Sequence, residues 1–383
     1  MKTNALDYCA SSVACKQLML LIFVLLAGIG QVNGQAVVEP SAEALATLDR
    51  RVRGHMAEFK IPGAVIAVAS RGKILHLETY GLANVELSVP VSDSSVFEIG
   101  SISKQFVAVA ALLQAEEGKL ELDDPIHKHL PDLPGEWLGV TVRHLLSHTS
   151  GIPDYETIRS YDVYRFRLLP EEVIRIAHSR PMDFAPGQGY YYSNTGYYIL
   201  SMIVERLDGQ PLRYVLQKRI FEPLGMTQTR MADPEAIIPH RASGYWVNRV
   251  DQLINRNPTE SSSTLGAGGL LSSVHDLIKW DNALYGDELL TAASKAAMWT
   301  STVLPNGKDT EYGLGWQLRP YRSVLQVGHG GQVAGFNTSF TRLVEQELCF
   351  IVFYNRYRVS ASYPKIAAYH AFLSGIGEFP FDG

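Results

Sequence analysis

Cysteine is nearly missing from this chain, which has three among 383 residues. Cys9 and Cys15 come before the one long apolar run and are expected to be removed with it. Cys349 would then stand alone, which excludes an internal disulfide and argues against a zinc site built from thiolates. The chemistry that the motifs below predict needs no metal and no organic cofactor, and none is expected.

An excess of charge of either sign is also lacking. The 34 Lys and Arg residues stand against 39 Asp and Glu, and the basic residues are scattered rather than clustered. This pattern gives no basic patch that would indicate binding to a nucleic acid or to a membrane surface. We expect the partner to be a small molecule or a peptide.

Long hydrophobic stretches are missing except over residues 17–30, "QLMLLIFVLLAGIG". This run follows Lys16 and ends near the small residues "VNGQA", as in a secretory signal cleaved after about Gly34 or Ala36. Residues 1–34 are therefore predicted to be a signal peptide, and the protein to be secreted or periplasmic. The run is too short to span a bilayer comfortably, so we expect membrane contact only if it stays uncleaved.

The remaining chain, about residues 38–383, is expected to form a single catalytic domain. Residues 38–95 indicate a helix and then two strands, and residues 305–383 return to strands before a last helix. The stretch 96–304 has mostly helical periodicity. If both chain ends build one sheet, the fold is α/β plus α, with an all-helical lobe inserted between the two halves of an α/β lobe.

The stretch "FEIGSISKQFVAVAALL" sets Ser101 and Lys104 three residues apart, ahead of an apolar run. Positions i and i+3 share a helix face, so the hydroxyl and the ammonium can share a proton. Burial lowers the pKa of a lysine and makes it a usable base for a serine nucleophile. The same spacing recurs at Ser70 and Lys73, but there a hairpin turn is predicted, with no shared helical face.

Two further motifs strengthen the catalytic interpretation. Tyr192-Ser193-Asn194 directly precedes a helical run, and His329-Gly330-Gly331 lies on a predicted strand. With the first motif they make the chain resemble the serine β-lactamase and penicillin-binding-protein superfamily, in its class C-like branch, where S-x-x-K, Y-x-N and K-T-G or H-x-G follow in this order. The phrases "VRHLLSHTSGIPDY", "IFEPLGMTQT" and "GAGGLLSSVHDLIKW" resemble the family too. The resemblance covers about residues 40–375 and implies an antiparallel sheet flanked by helices, with a cleft between two lobes.

The resemblance also implies roles for single residues. Ser101 matches the acylated nucleophile, Lys104 its proton partner, and Tyr192 the tyrosine that works with this lysine. Tyr190 and Tyr191 compete on composition, but only Tyr192 has an asparagine two residues on. Asn194 would hydrogen-bond the lysine or a substrate amide.

On the strand, Gly330 and Gly331 would let a substrate backbone approach closely. The resemblance implies that the backbone N–H groups of Gln332 and Ser101 form the oxyanion hole. His329 departs from the lysine of β-lactamases proper, which makes efficient β-lactam turnover doubtful. We expect His329 to face Tyr192 across the cleft, because H-x-G replaces K-T-G while the other motifs are unchanged. Since histidine titrates near pH 6.5, we also expect it to tune a substrate carboxylate site by its charge.

Competing chemistries find little support. His144 and His148 have i, i+4 spacing, but "HLLSH" lacks the glutamate of a zinc-protease helix, so structural packing is the favoured interpretation. No G-x-S-x-G occurs, which argues against the nucleophile elbow of an α/β-hydrolase.

The sequence therefore predicts a serine hydrolase that forms an acyl-enzyme and hydrolyses peptide or amide bonds of D-amino-acid-containing substrates. The alternatives are a carboxylesterase of the β-lactamase-like type, or a slowly deacylating sensor of β-lactams or muropeptides.

Overall fold

The computed structural model describes residues 36–257 and 259–381. The signal segment predicted over residues 1–34 lies outside this part. Within the described part, no helix is both long enough and apolar enough to cross a membrane.

The described chain opens with a helix and a hairpin, as its pattern predicts. Helix α1 (Ala42–Glu58) begins at Ser41, whose hydroxyl accepts a hydrogen bond from the Ala44 amide at 3.1 Å. Strands β1 (Gly63–Ser70) and β2 (Lys73–Asn84) follow. Ser70 and Lys73 pair across the turn between these strands and share no helical face, as the hairpin prediction requires.

The middle of the chain is mostly helical, and a last helix follows the final strand. The helices after α1 are α2 (Ser103–Glu116), α3 (Ile126–His129), α4 (Val142–Leu146), α5 (Tyr155–Arg159), α6 (Pro170–His178), α7 (Asn194–Asp208), α8 (Leu212–Leu216), α9 (Ser261–Thr264), α10 (Val274–Ala283), α11 (Ala292–Met298) and α12 (Ser362–Phe372). Short 3₁₀ turns occur at Gly100–Ile102, Gly135–Trp137, Tyr161–Arg165 and Leu265–Ala267, and a π-helical turn at Gln217–Phe221.

The strands after β2 are β3 (Val89–Pro90), β4 (Phe97–Glu98), β5 (Arg230–Met231), β6 (Tyr245–Val247), β7 (Leu253–Asn255), β8 (Leu270–Ser272), β9 (Gln317–Tyr321), β10 (Val324–Val333), β11 (Phe336–Leu343) and β12 (Leu348–Tyr354). Both chain ends build one seven-stranded sheet in the order β3-β2-β1-β12-β11-β10-β9, and its pairs are antiparallel. The strands β4 to β8 form two small sheets within the mostly helical middle of the chain. The periodicity did not indicate them, because strands of two or three residues carry too little pattern.

The large sheet is apolar on both faces at its centre. Along β1, Ala64, Ile66 and Val68 pack under α1 and α12, whereas the alternate residues pack against the helical region. Helix α2 lies in the larger of these cores and is buried over almost its whole length, which explains why its sequence is apolar on every side.

Candidate active site

The nucleophile candidate Ser101 lies at the mouth of the buried helix α2. It sits in the 3₁₀ turn Gly100–Ile102 directly before that helix and is partly exposed to solvent. Gly100 has φ 55°, in the left-handed region that favours glycine, and a Cβ there would lie 2.6 Å from the Gln332 amide nitrogen. Glycine therefore lets β10 approach the turn that carries the serine.

Lys104 is fully buried one turn into α2. Its Nζ donates hydrogen bonds to the Ser101 Oγ at 3.1 Å, the Asn194 Oδ1 at 2.8 Å and the Ala267 carbonyl oxygen at 2.5 Å. Burial lowers the pKa of Lys104 to about 7, because the uncharged amine avoids the cost of desolvation. The structure thus brings together the serine and the lysine predicted from the sequence. The pKa of this lysine lies near neutral pH, as a general base requires.

Asn194 connects this lysine to two carboxyl groups that the sequence interpretation had missed. Its Nδ2 donates to Glu156 Oε2 at 2.6 Å, and its backbone N–H donates to Asp154 Oδ1 at 2.8 Å. Burial raises the pKa of Glu156 to about 7 and also raises the pKa of Asp154. Both negative charges raise the pKa of Lys104, in opposition to its burial. The only signal in the sequence is that two acids follow the apolar phrase "GIP".

Of the three consecutive tyrosines, Tyr192 is the one that faces Lys104. The centre of its ring is 4.8 Å from the lysine Nζ, and its hydroxyl oxygen is buried. Tyr191 is instead 45% exposed and its hydroxyl lies 3.5 Å from Thr157 Oγ1. Tyr190 lines the same cleft as Ser101 and Tyr192. Of the three tyrosines, Tyr192 is therefore the one whose ring lies beside the lysine.

His148 packs against Tyr192 and hydrogen-bonds the residues on either side of it. The two rings are 4.2 Å apart, the His148 carbonyl oxygen accepts the Tyr191 N–H at 3.1 Å, and His148 Nδ1 accepts the Ser193 N–H at 3.1 Å. The amides on both sides of Tyr192 are therefore fixed by one residue, which agrees with the packing role expected for this histidine. His144 uses its own Nδ1 to accept the Thr141 N–H at 3.2 Å. Within the described residues, no cluster of side chains could hold a metal ion.

His329 faces Tyr192 as expected, with ring centres 5.9 Å apart, but its electrostatic behaviour differs from the prediction. Its Nδ1 lies 2.6 Å from the Gly330 carbonyl oxygen and its Nε2 lies 3.0 Å from the Tyr312 hydroxyl. A carbonyl only accepts, so Nδ1 carries the proton and Nε2 accepts from the tyrosine. Burial, helped by the charge of Lys104, lowers the pKa of His329 to about 3. The expected change of charge near pH 6.5 is wrong, because His329 is neutral there.

The two glycines after His329 differ in how closely other atoms approach their backbone. A Cβ on Gly331 would lie 1.9 Å from the Ile99 carbonyl oxygen, so glycine is required where β10 meets the turn before Ser101. Thr338 Oγ1 donates to the same carbonyl at 2.9 Å and closes this junction. A Cβ on Gly330 would meet only the Thr338 carbonyl oxygen, at 3.9 Å, and would point into open space.

These residues line one cleft of about 740 Å³. Ser101, Tyr192, His329, Gly330, Gly331 and Gln332 all contribute to its wall. The arrangement can activate a serine hydroxyl beside a strand on which an extended substrate fits.

Comparisons with known proteins agree with this geometry. The family model described as "Beta-lactamase" matches residues 48–372. The chain is 32% identical over 312 residues to "Penicillin-binding protein 4*" of Bacillus subtilis, covering 77% of this chain and 68% of that protein. It is 34% identical over 219 residues to "Esterase EstB" of Burkholderia gladioli, covering 51% of this chain and 54% of the esterase.

Among solved structures, the D-amino acid amidase from Ochrobactrum anthropi SV3 complexed with D-phenylalanine superposes with a TM-score of 0.75 at 26% identity. The match covers 86% of this chain and 98% of the amidase. The fold, including the antiparallel sheet flanked by helices, is therefore shared over most of both chains.

Proposed function

The chain belongs to the β-lactamase family of serine hydrolases, and from this premise we propose that it forms an acyl-enzyme at Ser101 and hydrolyses amide or peptide bonds of D-amino-acid-containing substrates. The observation that carries the proposal is the contact of 3.1 Å between Ser101 Oγ and the Nζ of a lysine whose pKa is lowered to about 7. At neutral pH a large fraction of Lys104 is uncharged, so it can take the serine proton.

The reaction proceeds in two halves. Ser101 Oγ attacks the substrate carbonyl while its proton passes to Lys104, and the N–H groups of Ser101 and Gln332 stabilise the oxyanion. When the tetrahedral intermediate collapses, the carbon–nitrogen bond breaks and the departing amine receives the proton through Tyr192. Water then attacks the ester, with the same pair as base, and releases the acid and the free serine.

The substrate class is argued from His329 and from the relatives. A buried neutral imidazole offers no fixed cation at the position where K-T-G enzymes place a lysine, which disfavours β-lactams as turnover substrates. The D-amino acid amidase shares the fold over 86% of this chain. An ester substrate is the second candidate, because Esterase EstB is 34% identical over the region it shares.

A substrate panel tests the proposal. D-amino acid amides, D-Ala-D-Ala peptides, p-nitrophenyl esters and a chromogenic cephalosporin are compared by kcat/KM, and we expect the D-amino acid compounds to exceed the others about 100-fold, or about 2.7 kcal/mol. A comparable excess for the esters would establish the second candidate. Stable acylation without turnover would indicate a sensor.

Labelling tests the nucleophile. A fluorophosphonate is expected to modify wild type and Ser70→Ala but not Ser101→Ala, and peptide mapping should place the adduct on Ser101. Ser70 begins another S-x-x-K of the chain, Ser70 to Lys73, and is a matched control. An adduct that persists in Ser101→Ala would contradict the assignment.

We also propose that the protein is exported, on the strength of the apolar run over residues 17–30. The N-terminus of the protein recovered from its native compartment is expected near residue 35. An intact Met1 would contradict this.

A further inference from the structure

The cleft continues well beyond the catalytic residues. From Ser101 it follows β10 and reaches the first turn of α12, where Gln326, Ser339, Thr341, Ser362 and Lys365 line it. We call these five residues the distal cleft. Along β10, Gln326 lies six positions before Gln332, and Gly328, the partner of Thr341, lies four positions before it. At a rise of about 3.3 Å per residue, the part of the distal cleft that Lys365 contacts lies about 13–20 Å from the serine.

The part of the large sheet that lines the distal cleft carries polar side chains on a face that is otherwise apolar. Ser339 and Thr341 on β11 lie opposite Val352 and Phe350 on β12, and directly opposed residues share a face. Under α1 and α12 that face is apolar, with Val352 and Phe350 in its core. One strand further on it becomes polar, although Ser339 and Thr341 are themselves buried. Such a polar strip along the wall of a cleft, on an otherwise apolar face, indicates a surface that serves a ligand rather than the core.

Lys365 brings a cation to this strip. Its ammonium donates to the Gln326 side-chain oxygen at 3.0 Å and lies 3.5 Å from the Thr341 hydroxyl, and the Tyr369 hydroxyl donates to the same Gln326 oxygen at 2.8 Å. Among the residues that the structure describes, 36–257 and 259–381, Lys365 takes part in no ion pair. Burial, together with the positive charge of Arg319, lowers the pKa of Lys365 to about 8.

A cation kept in a cleft without a carboxylate is costly unless a ligand supplies one. The nearest other cation, Arg319 on the cleft wall, is placed 3.5 Å from its own partner Glu311. Lys365 is therefore the charge left for an incoming anion. Gly330 supports this assignment, since its backbone is not left-handed and a Cβ there would project into free space. Neither conformation nor internal packing explains glycine at that point, whereas room for a ligand along the cleft does.

We propose that the distal cleft is a subsite for a carboxylate, in which Lys365 binds an acidic group that a peptide substrate carries about four to six extended residues from the scissile bond. The inference rests on the proposed function and narrows its substrate class to acidic D-amino-acid-containing peptides. It also explains how a cleft whose strand motif carries a neutral histidine can still select an anionic substrate.

The test uses pairs of peptides with a D-Ala-D-Ala core and blocked ends. One pair is extended by four residues on the N-terminal side and ends in Glu or Gln, and a second pair is extended in the same way on the C-terminal side. A third pair compares a free with an amidated C-terminus, which separates a side-chain acid from a terminal one. Competitive cleavage followed by mass spectrometry gives the ratio of kcat/KM within each pair.

We expect a ratio of about ten in favour of the acid in at least one pair, decreasing as salt is added. Lys365→Gln should bring this ratio to about one and Lys365→Arg should keep it. Lys308→Gln removes an exposed lysine outside the cleft and should also keep it. Because each ratio compares two substrates on one protein, a general loss of active enzyme does not alter it.

Two outcomes would overturn the proposal in distinguishable ways. Equal cleavage of acid and amide by wild type, or a preference that survives Lys365→Gln, overturns the subsite alone. Cleavage of D-amino acid amides but of none of the peptides overturns the subsite, and cleavage of neither overturns the proposed function as well.

Discussion

Burial decides which side chain of the cleft changes its charge near neutral pH. Lys104 has a pKa of about 7 and His329 a pKa of about 3, both mainly because desolvation penalises their charged forms. A histidine is the usual titrating group in this range, but here the lysine takes that place. The side chain whose charge changes near neutral pH is therefore that of Lys104, which hydrogen-bonds the nucleophile.

The pH dependence follows from that assignment. Protonated Lys104 cannot accept the Ser101 proton, so kcat/KM should rise with an apparent pKa near 7 as the pH increases from 5 to 9. His329→Gln should keep this limb, because His329 is neutral throughout. Glu156→Gln should move the limb to lower pH, because removing the negative charge favours uncharged Lys104.

Glu156 has a pKa near 7 itself, so the two variants are both needed. A limb that vanished in Glu156→Gln would mean that the carboxyl group, and not the lysine, is titrating. A limb that vanished in His329→Gln would restore the histidine as the switch. Steady-state kinetics with one D-amino acid amide suffice for this comparison.

Single residues could be predicted from the sequence where a motif fixes their spacing. Ser101 and Lys104 are one helical turn apart, and the asparagine two positions on distinguishes Tyr192 from its neighbours. Asp154, Glu156 and His148 could not be found in this way. They act on residues 38 to 45 positions distant in the chain, and the fold alone creates those contacts.

At the scale of elements, the site depends on how β10 meets the turn before α2. The strand presses against the Ile99 carbonyl through Gly331, and Thr338 on β11 holds the same carbonyl. The hairpin β1–β2 and the return to strands near the C-terminus were predictable from alternation and turn residues. The approach of β10 to the nucleophile was not, because periodicity carries no information on the distance between elements.

Two neighbouring glycines test this junction. Gly331→Ala should lower the free energy of unfolding by about 1–3 kcal/mol, because its Cβ would overlap the Ile99 carbonyl oxygen and push the strand from the turn. Gly330→Ala, one position away and facing open space, should leave that free energy nearly unchanged. Urea unfolding of both variants provides the measurement, and equal stabilities would show that the junction yields without strain.

At the scale of the whole molecule, a buried ion pair ties the sheet to the inserted helical region. Arg342 on β11 donates to Asp281 on α10 at 2.6 Å, and neither side chain is exposed. The Arg342 guanidinium carbon also lies 4.4 Å from the ring centre of Tyr285 and 5.0 Å from that of Trp299. That the two chain ends build one sheet could be anticipated from the sequence, but the strand order and this connection could not, because the two partners of the ion pair are 61 positions apart in the sequence.

Breaking this pair should destabilise the protein strongly. Arg342→Met would leave the Asp281 carboxylate buried without a counterion, at a cost of about 3–5 kcal/mol in the free energy of unfolding. Arg342→Met combined with Asp281→Leu should lose less than the sum of the single variants, since no lone charge remains. The exposed Arg53, which pairs with Asp49 at 2.9 Å, provides a control whose change to Met should have no measurable effect.

The loss in Arg342→Met should also depend on pH in a definite direction. Burial already raises the pKa of Asp281, and without the arginine it should rise further. A group whose pKa is raised by folding favours the folded state at low pH and loses that contribution as the pH rises through its folded pKa. Relative to wild type, the variant should therefore be least destabilised near pH 5 and most destabilised near pH 8. Urea midpoints measured across this range check the sign, and a penalty that stayed constant from pH 5 to pH 8 would mean that the lost packing of the guanidinium, rather than the stranded carboxylate, accounts for the destabilisation.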